Sequence, residues 1–256
     1  MSVAEAQTYP HASGIAAKTA EEHQEPQELV FYAAWFCPFA TRAWIALEEK
    51  GVPYQYKEVN PYKKEKHFLD INPLGLVPAF EYQGKALYES VILDEFLEDV
   101  YPSYGTNLLP EDPYERARAR IWIDYVSKKI VPAYFRLIQA QGADKQRAAL
   151  EDLNQALGTF AAQIKGPYFL GDAFSLVDVV VAPWIARDYI PAEHRGYRRE
   201  AVENGWKSYA EAVEKRDSVI RTQSDKERYH EVYGRYLRDE AQSEVAKATR
   251  TGGVIP

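Results

Sequence analysis

One cysteine, one methionine and five histidines in 256 residues leave little material for cross-links or metal clusters. A lone cysteine excludes an internal disulfide framework and any cysteine-cluster zinc site, so nothing calls for an oxidising compartment and a cytoplasmic setting is expected. The histidines, His11, His23, His67, His194 and His230, are scattered and no pair has metal-ligand spacing, so no metal is expected. Basic residues are also in deficit, 31 Lys and Arg against 38 Asp and Glu. That balance argues against nucleic-acid partners, whose phosphates need clustered cations. Residues 1–27 lack an apolar h-region, which excludes a secretory signal, and are expected to form a flexible N-terminal arm. Only Leu29 to Leu47 approaches a membrane span, with Arg42 as its single formal charge. Pro38 inside that run, Arg42 past its middle, and the alternative of a buried strand followed by a helix argue against a stable span.

What remains is ample for real cores: 46% hydrophobic and 13% aromatic residues, in a length suited to one large domain or two smaller ones. Leu29 to Tyr32 reads as a buried strand, Pro38 to Lys50 as a helix and Tyr54 to Val59 as a second strand. A short helix near Glu65 to Asp70 follows, then a hairpin of Val77 to Phe80 with Ala86 to Tyr88 around Gln83-Gly84. Ser90 caps a further helix whose dry face carries Val91, Leu93, Phe96, Leu97 and Val100. Residues 28–102 therefore predict a small α/β domain with about four strands. After a turn-rich linker, Asp112-Pro113 opens a chain that reads as helix throughout. Tyr114 to Gln141 is long with a kink at Pro132, Asp144 to Ile164 follows, and Ser175-Leu176-Val177-Asp178 opens the most apolar helix with a capping box. Residues 113–221 form this second, all-helical domain, and 222–256 a helical extension with no assigned task.

Cys37 stands directly between the first strand and Pro38, a first-turn proline, and so falls at a helix N-terminus. Unpaired N–H groups and the positive end of the helix dipole favour an anion there, which is how a thiol drops from about 8.5 into the range of roughly 3.5 to 7.5. Val77-Pro78 ahead of a strand is a place for a cis bond that exposes the Val77 backbone to a peptide-like ligand. Glu89-Ser90 at a helix start offers N–H groups and a hydroxyl to a carboxylate, with Glu89 placed to hold an ammonium group. Lys64 lies in a charged run that by itself reads as a solvated face.

Taken in order, FCPFATR, NPLGLVPAF, LYES, PYFLGDAFSLVDVVVAPW and RDSV resemble a glutathione transferase of the cysteine-bearing omega type, over about residues 28–221. The resemblance implies the glutathione transferase fold, α/β plus all-α: a thioredoxin-like N-terminal domain and an all-helical C-terminal domain. It implies glutathione as co-substrate, a homodimer, and Cys37 as the nucleophile with Phe39 beside it. By the same motif match Lys64 would face the glycine carboxylate of glutathione, Val77 beside a cis Pro78 would pair with the cysteinyl part, and Glu89 and Ser90 would hold the γ-glutamyl end. Tyr125, Tyr134 and Trp184 are candidates for the acceptor pocket, although aromatics at helical spacing are more often core. Tyr209 stands where the family usually shows tryptophan, and Asp217 where proline is common.

The expected activity is thiol transfer through a Cys37-glutathione mixed disulfide: deglutathionylation of a small-molecule or protein acceptor, or dehydroascorbate-type reduction. The alternatives are conjugation of glutathione to electrophiles, a membrane-inserting relative of the intracellular chloride channel type, and a binding module without chemistry.

Overall fold

A computed structural model describes residues 10–256, so the first part of the segment read as an arm lies outside the described residues. The chain forms two compact units: residues up to Leu109 together with Arg216–Tyr229, and Pro110–Lys215 together with His230–Pro256.

The first unit is built on a four-stranded sheet of order β2-β1-β3-β4, with β1 Leu29–Ala33, β2 Gln55–Glu58, β3 Ala79–Tyr82 and β4 Lys85–Tyr88. β1 pairs parallel with β2, Val30 opposite Gln55, and antiparallel with β3, Phe31 opposite Phe80. A parallel pair needs a crossover, and helix α2 (Pro38–Lys50) supplies it; α1 is Gly14–Glu22. The β3–β4 hairpin turns on Gln83 and Gly84, both at positive φ, the twist-matched geometry for a two-residue loop. Helices α3 (Lys66–Ile71) and α4 (Ser90–Val100) complete the unit's thioredoxin-like part. α2 starts at Pro38, ends on the left-handed Gly51, and is buried along most of its length. Phe31, fully buried at the centre of the sheet, meets Trp44, Tyr54, Tyr56 and Phe80 edge-on.

The structure departs from the sequence reading at both ends of the chain. The described part of the expected arm contains α1, with Ala16 and Thr19 buried. The Ala16 N–H donates to the Gln223 carbonyl at 3.1 Å and the Thr19 hydroxyl to the Arg221 carbonyl at 2.8 Å. Residues 216–229 accordingly pack with the first unit, starting with α11 (Asp217–Arg221). Arg216 pairs with Glu49, and Arg221 Nε reaches Glu48 at 2.6 Å. Periodicity could not show this because the partners of each segment lie at the opposite end of the chain.

The second unit is helical: α5 (Pro113–Tyr125), α6 (Val131–Gln139), α7 (Ala143–Ala161), α8 (Leu176–Ile185), α9 (Tyr189–Arg195), α10 (Trp206–Glu214), α12 (Lys226–Leu237, from His230 onward) and α13 (Glu244–Thr251). The expected kink at Pro132 takes the form of a π-helical turn over Val126–Ile130, a wider turn that accommodates the proline's missing N–H and its ring. The helical extension expected over 222–256 holds two helices, broken where Asp239 takes the left-handed conformation.

Every residue of α8 is buried, and one carboxylate fixes its start. Asp178 Oδ1 accepts from the Phe169 N–H at 2.8 Å and the Tyr209 hydroxyl at 2.7 Å, while Oδ2 accepts from the Ser175 N–H at 2.8 Å and hydroxyl at 2.6 Å. Tyr209 is thus a structural donor to this knot. Asp178→Ala is expected to cost about 3 to 5 kcal/mol in denaturant unfolding, because it leaves several buried donors unmatched. Ser175→Ala is expected to cost only about 1 kcal/mol, the worth of a cap. Equal costs for the two would contradict this reading.

Candidate active site

Cys37 is the N-cap of α2, in extended conformation at φ −77° and ψ 117°, and is half-buried. Its thiol donates to the Val77 carbonyl at 3.6 Å, and the Val77-Pro78 bond is cis. The strand–Cys–Pro–helix motif and the Val77-Pro78 motif therefore meet at one point in the first unit.

The loop bearing Val77 is fastened by Asn72, a buried residue at the end of α3. Asn72 Nδ2 donates to the Leu76 carbonyl at 2.9 Å, and its Oδ1 accepts from the Leu74 N–H at 3.1 Å. Lys64 is exposed and its ammonium donates to the Leu74 carbonyl of the same loop at 3.3 Å. It lies across Gly75, where an added Cβ would come within 2.5 Å of the lysine side chain; the positive φ of 63° at Gly75 is what favours glycine there. Phe39, half-buried, carries the Arg42 guanidinium over its ring at 5.3 Å. Glu89 is exposed at the N-cap of α4 with φ 79°, a left-handed conformation that a non-glycine residue rarely adopts. Ser90 beside it is buried, and its hydroxyl accepts from Arg42 Nη1 at 3.3 Å.

Two charged residues beneath this surface were not singled out from the sequence as site residues. Arg42 and Asp94 are both fully enclosed, and neither Asp94 oxygen has a hydrogen-bond partner among the described residues. Burial pushes the Asp94 carboxyl up to about 8 and pulls Arg42 down to about 9, each opposed by the other's charge. A negative Cys37 interacts favourably with the Arg42 guanidinium. Arg42 was visible as the lone charge in Leu29 to Leu47, and Asp94 as the carboxylate beside Leu93 on the dry face of α4.

Glu58, at the end of β2, holds the segment leading to the cysteine: Oε1 accepts from the Trp35 N–H and Oε2 from the Tyr56 hydroxyl, both at 2.8 Å. Burial raises its carboxyl to about 7 despite these donors.

The three aromatic acceptor-pocket candidates divide in the second unit. Tyr134 and Trp184 are buried and line a small cavity with Ile130, Leu153 and Trp206, and the Tyr134 hydroxyl donates to the Arg187 carbonyl at 3.1 Å. They pack as core. Tyr125 is half-buried, lies outside that cavity lining, and donates to the Ala156 carbonyl at 3.2 Å.

A thioredoxin-like unit with a cysteine at this helix start, in a chain that also carries a helical unit, defines the glutathione transferase class of protein. Family models bear this out: the glutathione S-transferase N-terminal domain matches residues 36–100, and the glutathione S-transferase C-terminal domain matches residues 114–195. The chain is 62% identical to the solved glutathione transferase Omega 3C from Trametes versicolor, with a TM-score of 0.83 over 86% of this chain and 99% of that one. It is 35% identical to pig glutathione S-transferase omega-1 across 63% of this chain and 68% of the relative. Rice GST1, solved in complex with glutathione, is 29% identical with a TM-score of 0.75 over 82% of this chain and 98% of that one. This chain belongs to the glutathione S-transferase family and is omega-like within it.

Two outcomes follow from the buried charges. Removing Arg42 and Asp94 together, as Arg42→Met with Asp94→Val, leaves no unpaired buried charge and takes the local positive charge away. Iodoacetamide alkylation of Cys37 at pH 7 is then expected to slow about fivefold, the effect of roughly 1 kcal/mol of lost attraction to the thiolate. An unchanged rate would show that the sulfur does not feel Arg42. The second outcome concerns Glu58, whose folded carboxyl near 7 exceeds its ordinary value near 4.5, so that between those values the folded chain keeps a proton the unfolded chain has released. Its contribution to stability is therefore lost as pH rises through that window, by about 3 kcal/mol. Glu58→Gln is expected to flatten the decline in unfolding free energy between about pH 5 and pH 8; an identical decline in the variant would count against this assignment.

Proposed function

We propose that this chain is a glutathione-dependent thiol transferase that works through a Cys37-glutathione mixed disulfide. The observation that carries the proposal is a single thiol in the whole sequence, half-buried at the start of α2 and directed at the Val77 carbonyl. In this reading the Val77 backbone, beside the cis Pro78, pairs with the cysteinyl part of glutathione, and Lys64 takes the glycine carboxylate. Glu89 and Ser90 at the start of α4 hold the γ-glutamyl ammonium and carboxylate, and Phe39 flanks the sulfur. Rice GST1, the relative solved with glutathione, supports the choice of co-substrate.

The cycle balances with glutathione alone. The Cys37 thiolate attacks the glutathionyl sulfur of a mixed disulfide; the acceptor leaves as a thiolate, and Cys37 carries the glutathionyl group. A glutathione thiolate then attacks that group, oxidised glutathione departs, and the Cys37 thiolate is restored.

Lowering a thiol pKa from about 8.5 to about 5.5 raises its thiolate fraction at pH 7 roughly thirtyfold, while the loss of nucleophilicity costs about twentyfold. A helix start therefore helps the attack little. It helps the second step, because a low-pKa thiolate is the better leaving group. With no second cysteine to resolve the intermediate, free glutathione must do so; in dehydroascorbate-type reduction the Cys37 thiolate adds to an acceptor carbonyl, a first glutathione thiolate attacks the sulfur and releases ascorbate, and a second resolves the Cys37-glutathione disulfide to oxidised glutathione. A cytoplasmic homodimer fits the family resemblance. No helix among the described residues is long and apolar enough to cross a membrane, which weighs against a channel-type alternative.

Incubation with oxidised glutathione is expected to raise the intact mass by one glutathionyl group, and Cys37→Ser to abolish both this adduct and turnover of a glutathione mixed disulfide. Turnover of an electrophilic aromatic substrate should be weak beside it, since a cysteine traps the sulfur that a hydroxyl would only hold. Full thiol-transfer activity in Cys37→Ser would refute the mechanism.

A further inference from the structure

Two histidines that are far apart in sequence meet in the helical unit. His194 lies in the last turn of α9 beside Glu193, and His230 lies on α12. One donor atom from each of Glu193, His194 and His230 falls within 4.8 Å of the others. His230 Nε2 is 3.4 Å from Glu193 Oε2, and His194 Nε2 is 3.9 Å from the same oxygen.

We propose that Glu193, His194 and His230 form a binding site for a divalent transition metal of the zinc class. Metal–nitrogen and metal–oxygen bonds of about 2.0 to 2.2 Å in a tetrahedral shell place donors about 3.3 to 3.6 Å apart. The His230–Glu193 separation already meets this, and the His194–Glu193 separation exceeds it by a few tenths of an ångström. The contraction needed falls on Glu193 and His194, whose side chains are exposed. Two imidazoles and one carboxylate suit zinc, nickel or copper, whereas calcium and magnesium require shells made of oxygen. Three protein ligands leave a fourth position for water or a small ligand, the arrangement of an open site.

The surroundings favour the site. The Tyr189 ring meets His230 edge-on at 5.5 Å and limits how that imidazole can turn. The cation next in sequence, Arg195, is occupied elsewhere: its guanidinium donates to the carbonyls of Ile138 at 2.8 Å and Leu237 at 2.7 Å. Those bonds already hold α9 to the end of α6 and the end of α12. A metal on Glu193, His194 and His230 adds a second fastening between α9 and α12. This gives the part of the C-terminal extension that begins at His230 a physical task, which the sequence alone did not suggest. The competing account of the cluster is a carboxylate shared by two histidines as plain ion pairs.

The test uses the full chain with Cys37 alkylated, so that the thiolate cannot take the metal. Calorimetric titration with zinc chloride should show one site per chain, and zinc but not magnesium should raise the melting temperature. His194→Gln and His230→Gln should each weaken zinc binding at least about tenfold, and the double variant should lose the zinc-dependent rise in melting temperature. His67→Gln, on α3 of the first unit, should bind zinc as the parent does. Melting without zinc reports whether each variant is folded. Zinc binding by the double variant equal to the parent's, or a melting temperature that saturating zinc leaves unmoved, would overturn the proposal in favour of simple ion pairs. Because Cys37 is blocked throughout, the outcome is independent of the thiol-transfer reading.

Discussion

The first unit depends on burying a helix that carries charge. α2 crosses from β1 to β2 and is enclosed along most of its length, yet Arg42, Lys50 and the carboxylates of Glu48 and Glu49 all lie on it. Each enclosed charge costs several kcal/mol unless it is met by an opposite charge or a hydrogen-bond partner. Lys50 is met by Glu98 at 2.7 Å, and Glu48 by His23, the Tyr54 hydroxyl and Arg221. Glu49 is met by Arg216 and the Ser218 hydroxyl. These demands bring residues 216–222 to the C-terminal end of α2, where α1 joins them. The N-terminal end is thereby left clear for chemistry. With the far end tied and the body packed, the start of α2 presents Cys37 at a fixed place.

Arg42 links this structural demand to the site. Its guanidinium reaches the Ser90 hydroxyl at the start of α4 and lies over the Phe39 ring, so it ties the cysteine-bearing helix to the helix start proposed for the γ-glutamyl end. Asp94 is the closest thing to a counter-charge, but it is enclosed without a hydrogen-bond partner among the described residues, which is why its carboxyl rises rather than falls. The Arg42 guanidinium thereby lies where it interacts favourably with a negative Cys37.

The features legible in the sequence were those set by local rules. Pro38 and Gly51 bracket α2, Gln83-Gly84 turns the hairpin, and Ser175 with Asp178 opens α8; each depends on φ preferences or on groups within a few residues. Cys37 was legible for the same reason, since a strand, a cysteine and a first-turn proline specify where the sulfur stands. What stayed hidden depends on partners distant in the chain. Asn72 fastens the Val77 loop through hydrogen bonds of its side chain that periodicity does not specify. Tyr134 and Trp184 read as pocket lining or core, and helical periodicity cannot tell a residue facing a cleft from one facing another helix; burial assigns both to the core. The meeting of His194 with His230 needs two helices placed side by side, which spacing along the chain does not encode.

The lone cysteine also limits what the site can do, in a way that does not depend on any particular acceptor. A dithiol enzyme closes its own intermediate, so its rate of release is intramolecular and largely independent of surrounding thiols. A site with one sulfur retains its adduct until an external thiolate arrives, and that step depends on thiol concentration and on how well the site admits a second tripeptide. Under the proposed mechanism, selection therefore falls on the approach to Cys37: the Val77 backbone before the cis Pro78, the Lys64 ammonium lying across Gly75, and Glu89, at positive φ, at the start of α4. In that proposal all three contact the γ-glutamyl peptide, as they could not contact a plain alkyl disulfide. The site so proposed recognises the group that is transferred, while the acceptor is distinguished only by what it leaves behind.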